Sequence, residues 1–143
     1  MATLERAIAI AAAAHAGQLD KAGQPYILHP LRVMLRVNTE EERIAAVLHD
    51  VVEDTSVTLE QLAGEGFAEE VLVAIEALTK NVGESRMDAA RRAVKNRIAR
   101  TVKLADNAEN MDLSRIASPT EKDFARLKEY ERVRALLLGA NAA

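Results

Sequence analysis

Cysteine is absent from the 143 residues, which excludes disulfides, thiolate metal sites and thiol nucleophiles. Tryptophan is absent too, and aromatics amount to 3% of the chain, too few to build a base-stacking surface for nucleic acid. No uninterrupted run of about 20 apolar residues exists, so no transmembrane helix is expected. Neither sign of charge dominates. Nineteen Lys and Arg stand against 22 Asp and Glu, a net charge of −3, so global charge draws the protein to neither nucleic acid nor a membrane. Any attraction for an anion must be local. No low-complexity linker, internal repeat or composition break divides the chain, and its length fits one domain over residues 1–143.

What the sequence does have is alanine, 27 of them. With few β-branched and aromatic residues, that favours packed helices over sheets. Hydrophobic residues at 49% and charged residues at 29% are the profile of a soluble globular protein. The stretch AIAIAAAAHA (7–16) faintly resembles a secretory h-region. Glu5 beside Arg6 and the excess of alanine favour a first helix instead, and hence a cytoplasmic protein.

Helical spacing of Leu4, Ala7, Ile8, Ala11, Ala12 and His15 predicts a helix over 3–16, stopped by Gly17. Residues 17–29 read as an ordered loop, with Pro30 as the first residue of the next helix. Thr39 with Glu42 is a capping box that opens a helix over 40–53, and Thr58 with Gln61 is another. Further helices are expected from Phe67 to Leu78, over 85–95 and over 98–112. Ser118-Pro119-Thr120-Glu121 reads as a cap with Pro at the first helical position, beginning a last helix to Gly139. No segment alternates with period two, so the fold class is all-α. The run Leu136-Leu137-Leu138 has two readings, core cover or partner contact.

Chemistry concentrates in three places. On a continuous helix, His49, Asp50, Glu53 and Asp54 of HDVVED would fall within about 140° of arc at 100° per residue. Ile44, Ala45, Val47, Leu48, Val51 and Val52 surround them. Three carboxylates and an imidazole on so apolar a helix are costly unless compensated, as a divalent cation would do. The alternative is a helix end emerging into water. In VKLADNAENMD (102–112), Lys103, Asp106 and Asn110 share about 60° of one face. This makes Asp106 a candidate ligand and Lys103 and Asn110 candidate substrate contacts, or else Lys103–Asp106 is an ordinary i,i+3 pair. His29 in PYILHP sits at a loop–helix junction near the core, where a lone histidine is more often structural. Taken jointly, His29, His49, Asp50 and Asp106 give two imidazoles and two carboxylates, a set suited to Mn²⁺, Fe²⁺ or Zn²⁺ rather than Ca²⁺.

The pattern H…HD…D resembles that of the HD-domain metal-dependent phosphohydrolases. The longer strings AHAGQLDKAGQPYILHP (14–30), HDVVEDT (49–55), ALTK (77–80) and VKLADNAENMD (102–112) resemble the hydrolase domain of the RelA/SpoT proteins and of small alarmone hydrolases, across residues 4–113. That resemblance implies a single HD-type helical bundle. It also implies Mn²⁺-dependent removal of the 3′-pyrophosphate from guanosine tetra- or pentaphosphate, releasing GDP or GTP. It implies that His29, His49, Asp50 and Asp106 hold the metal and that Glu53 and Asp54 orient and deprotonate the attacking water. Asn110 would contact the nucleotide, with Lys21 and Lys103 as further candidates. No synthetase or regulatory region follows, so a stand-alone hydrolase is expected.

An acidic site that takes a polyphosphate needs its field locally reversed. The stretch 85–103, with Arg86, Arg91, Arg92, Lys95, Arg97, Arg100 and Lys103 against Asp88, is one source, although at least half of these residues are expected to be a solvated face. The sequence departs from the resemblance at Asp20, where a basic residue is usual, and at Arg86, where an aromatic often stands. Asp20 would repel a nearby phosphate or accept from a base N–H. These departures motivate a second reading, the same chemistry on another nucleoside polyphosphate or phosphorylated dinucleotide. A third is a non-catalytic nucleotide-sensing helical module. His15 is expected to be structural, at the end of the first helix.

Overall fold

The computed structural model describes residues 1–139, and these contain nine helices. They are α1 (Leu4–Ala14), α2 (Leu28–Leu35), α3 (Glu40–Leu48), α4 (Val51–Asp54), α5 (Leu59–Glu65), α6 (Glu69–Leu78), α7 (Arg86–Ala93), α8 (Arg97–Met111) and α9 (Glu121–Gly139). The one β-type contact among them is an isolated bridge, Leu19 to Pro25, inside the α1–α2 loop. No helix among the described residues is long and apolar enough to cross a membrane.

Local chemistry sets most helix starts. Thr3, Ser85 and Asn96 each accept a hydrogen bond from the backbone N–H three residues on, satisfying a donor that has no partner within the helix. Both expected capping boxes form, Thr39 with Glu42 and Thr58 with Gln61. Gly66, at φ +95°, closes α5 in the left-handed region that glycine occupies without strain.

Three boundaries differ from expectation. The second helix starts at Leu28, which places Pro30 third in the helix. A proline is tolerated there because the first turn's N–H groups need no partner within the helix. The last helix starts at Glu121, not Pro119. Its N-terminus is built by Thr120, whose carbonyl accepts from Phe124 N at 3.1 Å and whose own N–H donates to Asp123 Oδ2 at 2.8 Å. The helix expected over 40–53 is broken. The chain leaves α3 after Leu48 and resumes as α4 at Val51, with His49 and Asp50 at the break.

α3 is the centre of the bundle, packed against α1, α2, α6 and α8. Ile44 through Leu48 are all buried, as expected of a helix covered on every side. Val33, Val37, Leu62, Val71, Ile75 and Val102 complete the core around it. A smaller cluster of Ala90, Val133 and Leu137, with Leu136 against it, seats α9. The leucine run is thus largely core cover, with Leu138 more exposed. Glu109, buried on α8, accepts from Arg32 Nε at 3.0 Å and Arg36 Nε at 2.5 Å, tying α8 to α2.

Leu48 is fully buried directly before the break. Leu48→Ala is expected to cost about 2–5 kcal/mol, the usual range for a cavity left in a packed core. Urea denaturation would read this as a lower midpoint at unchanged slope, and a loss under about 1 kcal/mol would contradict the central placing of α3.

Candidate metal centre and cavity

His49, at the break between α3 and α4, is buried, and its Nδ1 donates to the Ala46 carbonyl at 2.5 Å. That bond occupies Nδ1 and leaves Nε2 as the ring nitrogen directed at the cluster. Nε2 is buried and lies 3.0 Å from Asp50 Oδ2 and 3.3 Å from Asp106 Oδ1. Neither oxygen is aligned for a hydrogen bond, so the atom has no hydrogen-bonding partner among the described residues. His29, on the first turn of α2, brings its Nε2 within 2.8 Å of Asp106 Oδ1. The two imidazole rings stand 5.7 Å apart, centre to centre. His29, His49 and Asp50 each offer a ligand atom within 4.8 Å of the others, and Asp106 joins them through α8. The four residues grouped on sequence grounds are therefore brought together, from three separate segments.

The electrostatics of this cluster call for positive charge at its centre. Burial opposes a charge on His49, but Asp50 and Asp106 outweigh it and raise its pKa well above the usual imidazole value. Burial likewise opposes ionisation of Asp106. Lys103, His49 and His29 prevail, and its pKa falls well below the carboxylate range. Asp50 is lowered in the same way, against burial, chiefly by His49. Tyr26 donates its hydroxyl proton to Asp50 Oδ2. Burial, then the Asp50 charge, raise its own pKa. A buried imidazole whose Nε2 has no aligned partner among the described residues, two carboxylates held ionised and a second imidazole fit a divalent metal ion with N/O preference, which would take the place of the imidazole proton.

Glu53 and Asp54, both exposed, flank the cluster from α4, and Asp50, Glu53 and Asp54 also offer ligand atoms within 4.8 Å of one another. Glu53 is held in place by the Lys80 backbone N–H, which donates to Oε1 at 2.7 Å. The Asp54 carboxylate has no hydrogen bond among the described residues. Burial first, then the charges of Asp50 and Glu53, push its pKa up to about 6, with His15 and His49 pulling the other way.

All of these side chains line one cavity of about 480 Å³. Six cations line it as well: Lys21, Lys80, Arg86, Lys103, Arg115 and Arg126. Lys103 donates to Asp106 Oδ2 at 3.2 Å and Asn110 Nδ2 to Asp106 Oδ1 at 3.3 Å, so these two expected substrate contacts also brace Asp106. Lys21 reaches Asp123 at 3.4 Å. Arg86 pairs with Glu129 and lies 5.2 Å from the centre of the Tyr130 ring. Lys80 and Arg126 form no ion pair among the described residues.

The basic stretch behaves as expected of a mostly solvated face, while the expectation for Asp20 needs correction. Of the basic stretch 85–103, only Arg86 and Lys103 line the cavity. Arg91 is bound to Asp88, Arg92 to Glu84, and Arg100 to the Leu137 carbonyl. The other cations of the lining, Lys80, Arg115 and Arg126, lie in separate segments with no local pattern to mark them, and of these Arg115 is itself paired with Asp20. Asp20 faces inward to its own loop. Oδ1 accepts from the N–H groups of Ala22 and Gln24 at 2.9 Å each, and Oδ2 from Arg115 Nη1 at 3.0 Å. Arg115 thereby cancels the repulsion that Asp20 would exert on a phosphate.

The chain matches the family model described as HD domain over residues 7–142. It belongs to the HD domain family. A probable GTP pyrophosphokinase of Mycobacterium leprae is 34% identical, over 96% of this chain and 19% of that protein. A guanosine-3′,5′-bis(diphosphate) 3′-pyrophosphohydrolase of Aquifex aeolicus is 42% identical over 54% of this chain and 12% of the relative. This HD domain thus spans less than a fifth of the length of these relatives. A solved structure described as a metazoan ortholog of SpoT that hydrolyzes ppGpp superposes with a TM-score of 0.77 at 23% identity, covering 96% of this chain and 86% of that one. This likeness establishes the fold: an all-α HD-type bundle.

Proposed function

We propose that this HD domain is a Mn²⁺-dependent hydrolase that removes the 3′-pyrophosphate of guanosine tetra- and pentaphosphate. The observation that carries the reading is the clustering of His29, His49 and Asp50, with Asp106 against both imidazoles, beside Glu53 and Asp54 in a cavity also lined by six cations. Relatives named as 3′-pyrophosphohydrolases of guanosine-3′,5′-bis(diphosphate) supply the substrate.

His29, His49, Asp50 and Asp106 would hold the ion, which when bound polarises a phosphoryl oxygen and acidifies water. Asp54 accepts the proton of the attacking water, and Glu53, fixed by the Lys80 N–H, orients that water. Water oxygen forms a bond to the phosphorus carried on the ribose 3′-oxygen. The bond from that phosphorus to the 3′-oxygen breaks, its electron pair staying on the 3′-oxygen, which takes up a proton. Pyrophosphate and GDP or GTP leave. Lys80 and Arg126, free of ion pairs among the described residues, are placed to meet the polyphosphate. Lys21, Lys103 and Asn110 contact the nucleotide.

Pyrophosphate release is to be measured with Mn²⁺ across a nucleotide panel, with and without chelator. Release from 3′-pyrophosphorylated guanosine that chelator abolishes and Mn²⁺ restores is the expected result. Turnover confined to other nucleoside polyphosphates would shift the substrate assignment, and nucleotide binding with no turnover would make the domain a sensor.

A further inference from the structure

The string AHAGQ contains two polar residues that the proposed reaction does not use, His15 and Gln18. His15 ends α1, yet its ring is turned into the protein and its residue is only 1% exposed. Its Nδ1 lies 2.9 Å from Gln18 Oε1. The Gln18 side-chain NH₂ in turn donates to the main-chain carbonyl of Asp54 at 3.4 Å. That second contact settles the roles in the first. Only the amide nitrogen can donate to a carbonyl, so the amide oxygen faces His15 and His15 Nδ1 carries the proton. The same two residues also hold Tyr26. The Gln18 backbone carbonyl accepts from Tyr26 N at 2.8 Å, and the His15 and Tyr26 rings are 5.1 Å apart.

α4 has four residues. A helix this short has no stability of its own. Its terminal carbonyls lack partners within the helix, and the Asp54 carbonyl is the one that Gln18 takes. Glu53 has its own support in the Lys80 N–H. Asp54 has none on its carboxylate, so the direction of that carboxylate depends on the backbone that carries it. A purely space-filling role for position 15 would be better served by an apolar ring, because His15 Nε2 is buried with no partner among the described residues. Retaining a polar group at that cost points to the donor on the other side of the ring.

We propose that His15 and Gln18 are positioning residues: a hydrogen-bonded chain from the end of α1 that aims Asp54 and Tyr26 at the metal-binding cluster. The proposal rests on the hydrolase reading for its kinetic consequence, but not for its structural one. A displacement of about 1 Å at a reacting group costs on the order of 100-fold in rate. Breaking the chain at either link therefore lowers kcat and leaves substrate binding almost untouched.

The test uses the full chain with His15→Phe, Gln18→Leu and the double variant. Gln18 is only half-buried, so Gln18→Leu keeps the test usable if His15→Phe does not fold. With Mn²⁺ and the 3′-pyrophosphorylated guanosine nucleotide, each single variant is expected to lose about 10- to 100-fold in kcat, with KM and Mn²⁺ Kd within threefold of the parent. The double variant is expected to be no worse than the poorer single, because two links of one chain do not add. Amide hydrogen exchange at Asp54 and Thr55 should accelerate at least tenfold, while α3 and α8 stay protected. Unchanged kcat, additive losses, or unchanged exchange at Asp54 and Thr55 would overturn the proposal. If the parent protein turns over no nucleotide, the hydrolase reading fails alone, and the exchange measurement decides the positioning claim.

Discussion

Asp106→Asn is expected to weaken Mn²⁺ binding by about 1,000-fold, equivalent to roughly 4 kcal/mol, and to abolish measurable hydrolysis. The substitution keeps shape and removes charge. Asp106 Oδ1 lies close to both imidazoles, 2.8 Å from His29 Nε2 and 3.3 Å from His49 Nε2. Losing a supporting hydrogen bond behind a ligand costs about 10- to 100-fold, and losing the charged ligand itself must cost more. Calorimetric titration with Mn²⁺ reads the affinity. A thermal melt gives an independent readout, since a ligand at a hundred times its Kd stabilises by about 2.7 kcal/mol. Mn²⁺ should raise the melting temperature of the parent protein and leave that of Asp106→Asn where it was. An affinity within threefold of the parent would remove Asp106 from the metal set and with it the shared centre of the four residues.

That the four candidate ligands lie together in the interior was legible in the sequence, because each stands beside apolar residues that had to be buried. Val102 and Ala105 pull Asp106 inward, Leu48 and Val51 do the same for His49 and Asp50, and Pro30 and Val33 for His29. Helix starts were legible where a capping box marks them, at Thr39 and Thr58. The break at His49 and Asp50 was not. Val47, Leu48, Val51 and Val52 continue the apolar pattern across it, and periodicity reports which face is buried rather than whether the backbone runs on. The start of α9 was misplaced for a related reason. Pro119 is acceptable at a first helical position, but nothing local shows that Thr120 and Asp123 make the better cap.

The cationic side of the cavity was the least legible part. Charge density along the sequence pointed to 85–103, yet Arg91 and Arg92 are neutralised by Asp88 and Glu84. Arg115 reaches Asp20 from 95 residues away and Lys21 reaches Asp123 from 102. Such pairs follow from how α8 and α9 pack, and no local spacing encodes them. The same long-range packing explains why Asp20, a departure from the RelA/SpoT-like pattern, does not leave a negative charge facing the phosphates: its partner arrives from the α8–α9 loop.

Asp54→Asn is expected to lower kcat by about 100- to 10,000-fold, the usual contribution of general acid–base catalysis, with Mn²⁺ affinity within threefold of the parent. The two carboxylates of α4 divide the work by their surroundings. Glu53 Oε1 is anchored by the Lys80 N–H at 2.7 Å, so it is oriented and partly neutralised, which suits it to hold water in line. Asp54 has no such anchor. Burial and the neighbouring Asp50 and Glu53 charges push it up to about 6, and a base whose pKa lies near the working pH combines availability with driving force. Glu53→Gln can still accept through its amide oxygen and is expected to cost less, about 10- to 100-fold. The order of the two variants tests the assignment, since equal losses would make the pair act as one unit, and a larger loss at Glu53 would exchange the roles. Metal-loaded protein must be used for both. A fall in kcat that excess Mn²⁺ restores would place Asp54 among the ligands and leave the proton without an acceptor on α4.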